Sequence, residues 1–446
     1  MDSGNSAGDE QKITAVEVAG FKSAIAPVRV NLRDITVLAG ANSTGKSTIM
    51  QPLLLIKQTM EKPFDPGGLA IDGPLVKFTH ADQYLSHVRF KVVNQTFSVM
   101  VGQSRRQIRL WYGRSESGGI DVTKMTFRDG DRGHTWVNDQ HLNRDDASFL
   151  DAFGREAINT LLFSGISDRV EIRVERNRGV LVAGLIEHIS PILQISQGPI
   201  VSPAGEIANH IQSLIYLPGL RGNPERHYVV SSSGPHFPGS FNDYVASVIH
   251  RWGTSKDDRI GLLENNLRLL GLTSGVATEA IDDTRVELRV DRLPVAAKGG
   301  ARDTVNIADV GFGVSQALPV LVSFLTANRG QIVFIEQPEL HLHPRAQVAL
   351  ANIILQAADR GVRVVIETHS SLLILALQGL IAEGRIAPDR VSMNWFTRDN
   401  TGQTHVAEAA LEKDGSYGDW PVDFDDVEAD LQNRYLNLVD RLRAEG

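Results

Sequence analysis

The chain has 446 residues, of which 42% are hydrophobic and 22% are charged, a composition typical of a globular protein with two or three domains. Its formal net charge of −8 argues against broad, non-specific binding to nucleic acid, although a local basic patch is compatible with it. The absence of cysteine excludes disulfides and cysteine-based metal sites. The N-terminus is polar and no apolar run is long enough to span a bilayer, so we expect a soluble, cytoplasmic protein without a membrane partner.

The first third of the chain is predicted to be rich in strands. Residues 1–12 are polar and are predicted to form a flexible leader. A strand pattern over 28–40 ends in glycine, and the apolar residues of 46–60 recur at helical spacing. From about 76 to 137, alternating or β-branched runs separated by turn residues predict an antiparallel β-subdomain. We therefore interpret residues 13–144 as a first lobe that contains this subdomain.

The middle and C-terminal parts have different patterns. Residues 145–300 are predicted to be a helical, mixed insertion, with helices in "FGREAINTLLF" and "GEIANHIQSLIYL" around the strand "RVEIRV". Residues 301–395 alternate strand, helix and strand, which predicts a second lobe built on a parallel sheet. Residues 396–446 are a predicted tail that ends in a charged helix. The predicted fold class is α/β, with a mixed sheet, an antiparallel β-subdomain, a helical insertion and no long coiled coil.

The strongest motif is "GANSTGKST", from Gly40 to Thr48, which fits G-x-x-x-x-G-K-[ST] between a predicted strand and a predicted helix. Its glycines allow backbone N–H groups to turn inward around phosphate oxygens, and the helix start adds its own free N–H groups. We expect Lys46 to bridge the β- and γ-phosphates of ATP and Ser47 to bind Mg²⁺. The other residues expected to surround the phosphates are Asn42, Ser43, Thr44, Gly45 and Thr48.

A second motif, "IVFIEQPELHLHP", places an acid at the end of a buried strand. Glu336 is expected to hold the magnesium ion, directly or through water. Gln337 follows at the position where many nucleotide hydrolases have a second acid; its amide orients water but accepts no proton. A positioned general base contributes about 10²–10⁴-fold, so we expect slow hydrolysis. Glu339 is a substitute base if the turn at Pro338 folds it back.

Two shorter stretches each have two interpretations. In "ADVGFGVSQALPVL", Gly313, Ser315 and Gln316 either present a hydroxyl and N–H groups to a phosphate on a partner molecule or form an ordinary helix start capped by Ser315. His369, in "VVIETHSSLL", either contacts a γ-phosphate or is a core histidine with a satisfied hydrogen bond.

Two further groups of polar residues beside these motifs also have more than one interpretation. Glu339, His341 and His343 are either a short metal cluster or part of a loop shaped for contact between subunits. Arg221 and Arg226, set among glycines and prolines, either neutralise phosphate or dock a partner, or they are ordinary loop arginines.

Taken in order, these motifs resemble those of the ABC-type ATPases of the SMC, RecF and OLD group. The resemblance rests on "GFKS", "GANSTGKST" (Walker A), "GFGVSQ" (signature), "IVFIEQPELHLHP" (Walker B) and "ETHSS" (switch histidine), and it covers roughly 13–58 and 306–375. "YLPGLRGNPERHY" and "GSYGDWPVDF" resemble stand-alone prokaryotic AAA-type ATPases with a short "DWP" tail, whose relatives often belong to anti-phage defence systems.

The resemblance implies an ABC-type P-loop ATPase head that forms a homodimer around ATP and Mg²⁺. It places Phe21 and Lys22 near the nucleotide, and it makes Gln83 a candidate for the Q-loop glutamine, whereas Gln51 is assigned to the helix surface. In the implied dimer, Lys46, Ser47 and Glu336 of one subunit face Ser315 and Gln316 of the other.

The function that follows is a slowly hydrolysing ATPase switch, which closes around ATP and controls an effector protein, a nuclease or a toxin, in anti-phage defence. One alternative is a scaffold that binds ATP without hydrolysing it. The other is a RecF-like DNA-repair clamp, which needs a basic strip such as "GQSRRQIRLWYGR"; that stretch is otherwise a solvated strand face. The arginines of the strip are Arg105, Arg106, Arg109 and Arg114.

Overall fold

The computed structural model of the protein describes residues 12–88, 91–92, 94–115, 119–142, 146, 148, 170–188, 194–231, 236–293, 303–418 and 433–437. Its helices are α1 (Gln51–Met60), α2 (Gly205–Ser213), α3 (Val245–Ser255), α4 (Arg259–Leu269), α5 (Phe312–Thr326), α6 (Pro344–Asp359) and α7 (Ser371–Ala382). Its strands are β1 (Ala15–Ala19), β2 (Val28–Asn31), β3 (Ile35–Gly40), β4 (His87–Val88), β5 (Lys91–Val92), β6 (Thr96–Gly102), β7 (Arg106–Arg114), β8 (Ile120–Asp129), β9 (Arg132–Val137), β10 (His141–Leu142), β11 (Val170–Asn177), β12 (Val180–His188), β13 (Gln194–Val201), β14 (Ile215–Leu217), β15 (Tyr228–Val229), β16 (Val276–Ala280), β17 (Arg285–Asp291), β18 (Thr304–Asn306), β19 (Ile332–Glu336), β20 (Arg363–Thr368), β21 (Val391–Arg398) and β22 (Thr404–Glu408).

A six-stranded sheet forms the centre of the fold, in the order β14-β19-β20-β3-β21-β22. Neighbouring strands run parallel from β14 to β21, and β22 pairs antiparallel with β21 at one edge. Every residue of β3, "ITVLAG", is buried, as expected for a parallel strand that is covered on both faces. Since β20 lies between β3 and β19, the carboxyl ends of these three strands meet at one edge of the sheet.

Two hydrophobic cores cover the faces of this sheet. Successive side chains of a strand point to opposite faces. Leu38 and Val365 therefore join the core that contains α1 and the antiparallel strands, whereas Val37 and Ile366 join the core of helices α3 to α7. Because apolar side chains pack on both faces of the sheet, the ends of β3, β19 and β20 are held on a rigid support.

A second six-stranded sheet, β2-β1-β6-β7-β8-β9, is antiparallel throughout. Its buried side includes Phe97 and Tyr112, whose rings stack with centroids 5.0 Å apart. The predicted α/β class with a mixed main sheet and an antiparallel β-subdomain is confirmed. The longest helix in the described part of the chain, α6, has 16 residues, and no long coiled coil occurs there.

Three predicted elements differ from the structure. The helix expected over 46–60 begins as a 3₁₀ turn at Ser47–Ile49, and α1 starts only at Gln51, with proline in its first turn where the ring is tolerated. The helix predicted in "GEIANHIQSLIYL" ends at Ser213, because Ile215–Leu217 forms β14 and pairs with β19. The predicted boundary between 395 and 396 falls within β21, and β22 extends the same sheet.

Other expectations fall outside the described residues. These include the leader up to residue 11, the helix predicted in "FGREAINTLLF", and the tail from 419 to 432 with its "DWP" sequence. The division of the chain into domains stays a prediction. Within the described part of the chain, no helix combines the length and the apolar composition that crossing a membrane requires.

Candidate functional site

The glycine-rich loop follows β3 and adopts backbone conformations that few residues tolerate. Gly45 has φ +98° and Ser43 has φ +62°. The side chain of Lys46 is 3% exposed, and its Nζ donates hydrogen bonds to the carbonyl oxygens of Gly40, at 3.0 Å, and Ala41, at 2.8 Å. Burial is the main cause that lowers the pKa of Lys46. The lysine is thus held along the inner side of the loop, while Asn42 and Ser43 are exposed and Thr44 and Thr48 are buried.

Two residues that the sequence analysis did not identify brace this loop. A Cβ atom on Gly45 would lie 2.3 Å from Thr404 Oγ1 and 2.6 Å from Ser23 Oγ, so only glycine fits there. Thr404 Oγ1 is 2.8 Å from both Ser23 Oγ and the carbonyl oxygen of Thr44. Because Thr404 begins β22, the far edge of the main sheet is connected directly to the loop.

A pocket of about 380 Å³ opens over the loop. Lys22 Nζ donates a 2.6 Å hydrogen bond to Gln51 Oε1, and both side chains line the pocket together with Gln83. The assignment of Gln51 to the helix surface alone is therefore wrong. Phe21 is fully buried against Phe97 and is not among the residues that line the pocket, whereas its neighbour Lys22 is.

Two carboxylates lie at the carboxyl ends of the neighbouring strands: Glu336 is the last residue of β19, and Glu367 is the last but one of β20. Glu336 and Glu367 are paired in the parallel register. Glu336 accepts hydrogen bonds from Tyr216, at 3.0 Å, and from the backbone N–H of Gly219, at 3.2 Å. Glu367 accepts a 2.8 Å hydrogen bond from Ser47 Oγ and lines the pocket. The carboxylate beside Ser47 is therefore Glu367, which the sequence analysis did not name.

The electrostatics of Glu367 are unusual for a carboxylate. Burial, and secondly the nearby Glu336 carboxylate, raises its pKa to about 7, against the hydrogen bond from Ser47 and the charge of Lys46. Burial and the same Glu336 carboxylate also raise the pKa of Tyr216. The edge of the sheet thus concentrates negative charge beside the glycine-rich loop, a setting that favours a bound cation.

Gln337 lies in the left-handed region, with φ +47°, just after the end of β19. Its N–H donates a 2.7 Å hydrogen bond to the carbonyl oxygen of Glu367, which fixes this turn to β20. A Cβ atom on Gly219 would lie 3.2 Å from Gln337 Oε1. The glutamine amide is therefore next to the loop that also contacts Glu336.

Arg221 is a buried clamp on this turn. Its Nη2 donates to the carbonyl oxygens of Glu336, at 2.7 Å, and Gln337, at 3.1 Å, and its Nη1 donates to that of Gln316, at 3.4 Å. Burial lowers its pKa to about 10. Arg226, by contrast, forms an exposed 2.7 Å ion pair with Asp309. Of the two loop arginines, Arg221 therefore holds the end of β19 and Arg226 lies on the surface.

Replacement of Arg221 by lysine should lower the free energy of unfolding by about 2 kcal/mol, because one ammonium group cannot satisfy three carbonyls in a fork geometry. Urea unfolding would measure the loss. Arg226→Lys is the matched control from the same loop and should change stability by less than about 0.5 kcal/mol. Equal losses of unfolding free energy in both variants would contradict the role of Arg221 in holding the end of β19.

Glu339 is folded back toward β20, as the turn at Pro338 allows. It is 8% exposed, and its Oε1 accepts hydrogen bonds from Thr368 Oγ1, at 2.8 Å, and the N–H of His369, at 2.9 Å. Its Oε2 is buried without a hydrogen-bond partner, and burial raises the pKa of the carboxyl group. In this conformation Glu339 holds the segment after β20 through Oε1, and its Oε2 is buried.

His369 is half-buried at the carboxyl end of β20. Its pKa is lowered by burial and by the charge of Lys46, and a hydrogen bond to the backbone of Gly40 opposes this shift. The imidazole is thus next to the glycine-rich loop rather than in the apolar core. His369 is not among the residues that line the pocket over the loop, and its contact with a γ-phosphate stays a prediction.

The glycine-containing segment "GFGVSQ" forms the first turns of α5, not a loop before it. The N-cap is Gly311, so the prediction that Ser315 caps the helix is wrong. Ser315 Oγ donates to the carbonyl oxygen of Phe312, and Gln316 is buried and donates to the carbonyl oxygen of Gly222. Gln316 therefore faces its own subunit, whereas Gly311 and Phe312 are exposed at the helix start.

Of the two interpretations of Glu339, His341 and His343, the metal cluster does not form. His341 and His343 are exposed, and His343 Nδ1 accepts a hydrogen bond from the N–H of Arg345 at the start of α6. Among the residues that the structure describes, no group of three or more His, Cys, Asp or Glu side chains is placed to hold a metal ion.

The arginines of the candidate basic strip are paired with acids. Arg106 contacts Asp129 and Glu206, both at 3.0 Å, and Arg105 lies 3.9 Å from Asp129. Since these pairs neutralise the strand, the solvated strand face is favoured over a phosphate-binding strip. The remaining pairs are Arg109–Glu17, at 2.6 Å, and Arg114–Asp82, at 3.2 Å.

Comparison with known families gives one match. Residues 208–376 match the family model described as "AAA domain, putative AbiEii toxin, Type IV TA system". This part of the chain is therefore similar to an AAA domain. The match includes Glu336, Glu367 and His369 but not the glycine-rich loop, and it covers less than half of the chain. No curated protein sequence matches the chain.

Solved structures with a related chain path include three SMC head domains. One is an SMC head bound to the C-winged helix domain of ScpA, at 13% identity and a TM-score of 0.41, covering 90% of this chain and 98% of the other. The head domain from Thermotoga maritima has 10% identity and a TM-score of 0.37, with coverages of 90% and 100%. That from Pyrococcus furiosus, with an extended coiled coil and bound to the C-terminal domain of ScpA, has 11% identity and a TM-score of 0.43, with coverages of 90% and 97%.

Proposed function

We propose that the protein is an ATP-dependent switch that hydrolyses ATP slowly and controls a partner effector. The observation that carries the proposal is the junction of the three strand ends. There the glycine-rich loop with Lys46 shares a pocket with Glu367, and Glu336 lies next to Glu367 on the neighbouring strand. The residue after Glu336 is a glutamine instead of an acid.

The residues at this edge fit ATP with Mg²⁺. Magnesium prefers oxygen ligands and is usually bound through one or two carboxylates together with substrate phosphates. The hydroxyl of Ser47 and the carboxylates of Glu336 and Glu367 are oxygen donors at one edge of the sheet. Bound Mg²⁺ would neutralise phosphate charge, while Lys46 and the loop N–H groups would bind the phosphates.

Slow hydrolysis follows from the side chains next to this edge. Gln337 accepts no proton at neutral pH. Glu339 has one carboxylate oxygen buried and the other bonded to Thr368 and the N–H of His369. A long-lived ATP-bound state lets ATP bias an equilibrium between two conformations, provided that it binds one of them more tightly.

A second copy of this chain is the proposed partner across the nucleotide. Leu220 is 85% exposed and Phe312 is 49% exposed, and both lie on segments that contact the site: Leu220 adjoins Gly219, and Phe312 begins α5. Exposed apolar side chains next to a ligand site are typical of a surface that becomes covered on association. The exposed start of α5, and not the inward-facing Gln316, would contribute to that contact.

The effector is proposed to be a nuclease or a toxin in anti-phage defence. Support comes from the matching family description, which names a putative toxin and a type IV toxin–antitoxin system. A DNA clamp is disfavoured because the described arginines of its candidate strip are paired with acids.

The proposal is tested by the mass of the purified protein with and without ATP and Mg²⁺, together with phosphate release. We expect ATP to double the mass and phosphate to be released slowly. A doubled mass without any phosphate release would identify the non-hydrolysing scaffold instead. An unchanged mass would contradict the switch.

Lys46→Ala should weaken ATP binding by about tenfold or more, since a charge-assisted hydrogen bond contributes about 1.5–3 kcal/mol. Titration calorimetry with ATP would measure the change. Lys413→Ala, which removes an exposed lysine away from the loop, is the matched control and should leave the affinity unchanged. Equal affinity of Lys46→Ala and the wild type would place the nucleotide elsewhere.

A further inference from the structure

We infer that Glu367, and not Glu336, is the carboxylate that joins Ser47 in holding the magnesium ion of the bound nucleotide. The inference rests on the proposed ATP-binding function and adds a residue to its site. Walker B sequence patterns point to Glu336, the last residue of β19, whereas the geometry points to Glu367, the last but one residue of β20.

The first support is the direct contact between the two side chains. Ser47 Oγ lies 2.8 Å from Glu367 Oε2. Both oxygens of Glu336 instead contact the opposite side: Oε1 accepts from the Tyr216 hydroxyl and Oε2 from the N–H of Gly219. Glu336 is therefore oriented by β14 and the loop after it, and Glu367 is oriented by the glycine-rich loop.

The second support is the order of strands in the main sheet. β20 is the direct neighbour of β3, and β19 is one strand further away. Neighbouring strands are about 4.8 Å apart, so the end of β19 starts about twice as far from the loop as the end of β20. A side chain of glutamate length reaches Ser47 from β20 without distortion, which is the contact observed.

The third support is the placement of the Glu367 carboxylate. The residue is only 8% exposed, yet it lines the pocket above the loop. Its exposed part therefore faces the space in which phosphates and their cation would bind. An anionic oxygen beside a hydroxyl in such a space matches the hard oxygen ligands that Mg²⁺ takes.

The test measures metal affinity separately from catalysis. Mn²⁺ serves as the magnetic probe, and the amount bound to protein saturated with the non-hydrolysable analogue AMPPNP is read by electron paramagnetic resonance. Glu367→Gln should weaken Mn²⁺ binding about 10–100-fold, whereas Glu336→Gln should weaken it less than about threefold. Glu383→Gln, an exposed position at the end of α7, is the control and should equal the wild type.

AMPPNP binding in EDTA separates the inference from the function on which it rests. Glu367→Gln should bind AMPPNP in EDTA as tightly as the wild type, which also establishes that the variant is folded. Glu367→Asp keeps the carboxylate and should recover part of the Mn²⁺ affinity. If the wild type does not bind AMPPNP, the proposed function itself fails.

Two results would overturn the assignment of Glu367 to the metal ion without contradicting the proposed ATP-binding function. One is a larger loss of Mn²⁺ affinity in Glu336→Gln than in Glu367→Gln. The other is normal Mn²⁺ affinity in Glu367→Gln combined with a loss of ATP hydrolysis, because Glu367 would then act on the attacking water and not on the metal.

Discussion

Replacing Gln337 by glutamate should raise the steady-state rate of ATP hydrolysis by about 10²-fold, because a positioned general base typically contributes about 10²–10⁴-fold. The backbone at this position is already fixed. The Gln337 N–H is bonded to the carbonyl of Glu367, and its own carbonyl is bonded to Arg221. A glutamate at 337 would therefore place its carboxylate where the amide now lies, beside Gly219.

The measurement is phosphate release at saturating ATP, together with the lifetime of the ATP-dependent dimer. The faster variant should also have a shorter-lived dimer, since the closed state would lose its nucleotide sooner. Wild-type turnover as fast as that of Gln337→Glu would contradict the slow switch.

Glu339→Gln distinguishes a substitute base from a positioning residue. Oε2 of Glu339 is buried, and Oε1 accepts hydrogen bonds from Thr368 and the N–H of His369. We therefore expect Glu339→Gln to hydrolyse ATP at the same slow rate as the wild type. A loss of the remaining activity would instead identify Glu339 as the proton acceptor. The two variants therefore have different expected rates of ATP hydrolysis: Gln337→Glu should be faster than the wild type, and Glu339→Gln should equal it.

Much of the site could be predicted from the sequence because its parts are local. A buried strand that ends in glycine, followed by G-K-S-T, specifies the loop, and an apolar run that ends in an acid specifies β19. The contact between Glu367 and Ser47 could not be predicted from "VVIETHSS", because it depends on which strand lies beside β3. That neighbour is fixed by long-range pairing and not by local pattern.

Contacts of two other residues could not be predicted for the same physical reason, since they also depend on long-range packing. Thr404 braces a glycine that lies about 360 residues earlier in the chain, a contact made only by the pairing of β21 with β3. Arg221 looks like a surface residue in "PGLRGNPERHY", but the packing of that loop against β19 buries it. One of the two interpretations of Ser315 makes it the N-cap of a helix, but the N-cap is Gly311, four residues earlier, since helix ends are weakly specified by propensity.

Replacing Glu367 by glutamine should stabilise the metal-free protein at alkaline pH, by on the order of 3 kcal/mol at pH 8. The pKa of Glu367 is raised to about 7, first by burial and then by the Glu336 carboxylate, from an ordinary value of 4.5. A raised carboxyl pKa means that folding favours the protonated form. The stability contributed by Glu367 is therefore fully present below about pH 4.5 and is lost as pH rises through 7, whereas glutamine stays neutral throughout.

Urea unfolding in EDTA at pH 5 and pH 8 would measure this difference. The gain from Glu367→Gln should be small at pH 5 and large at pH 8, and Glu383→Gln should show no such dependence on pH. A gain of equal size at both pH values would mean that packing, and not charge, is responsible. A gain confined to alkaline pH would mean that the protein maintains a destabilising acid beside Ser47, as expected of a group retained for a cation and not for the fold.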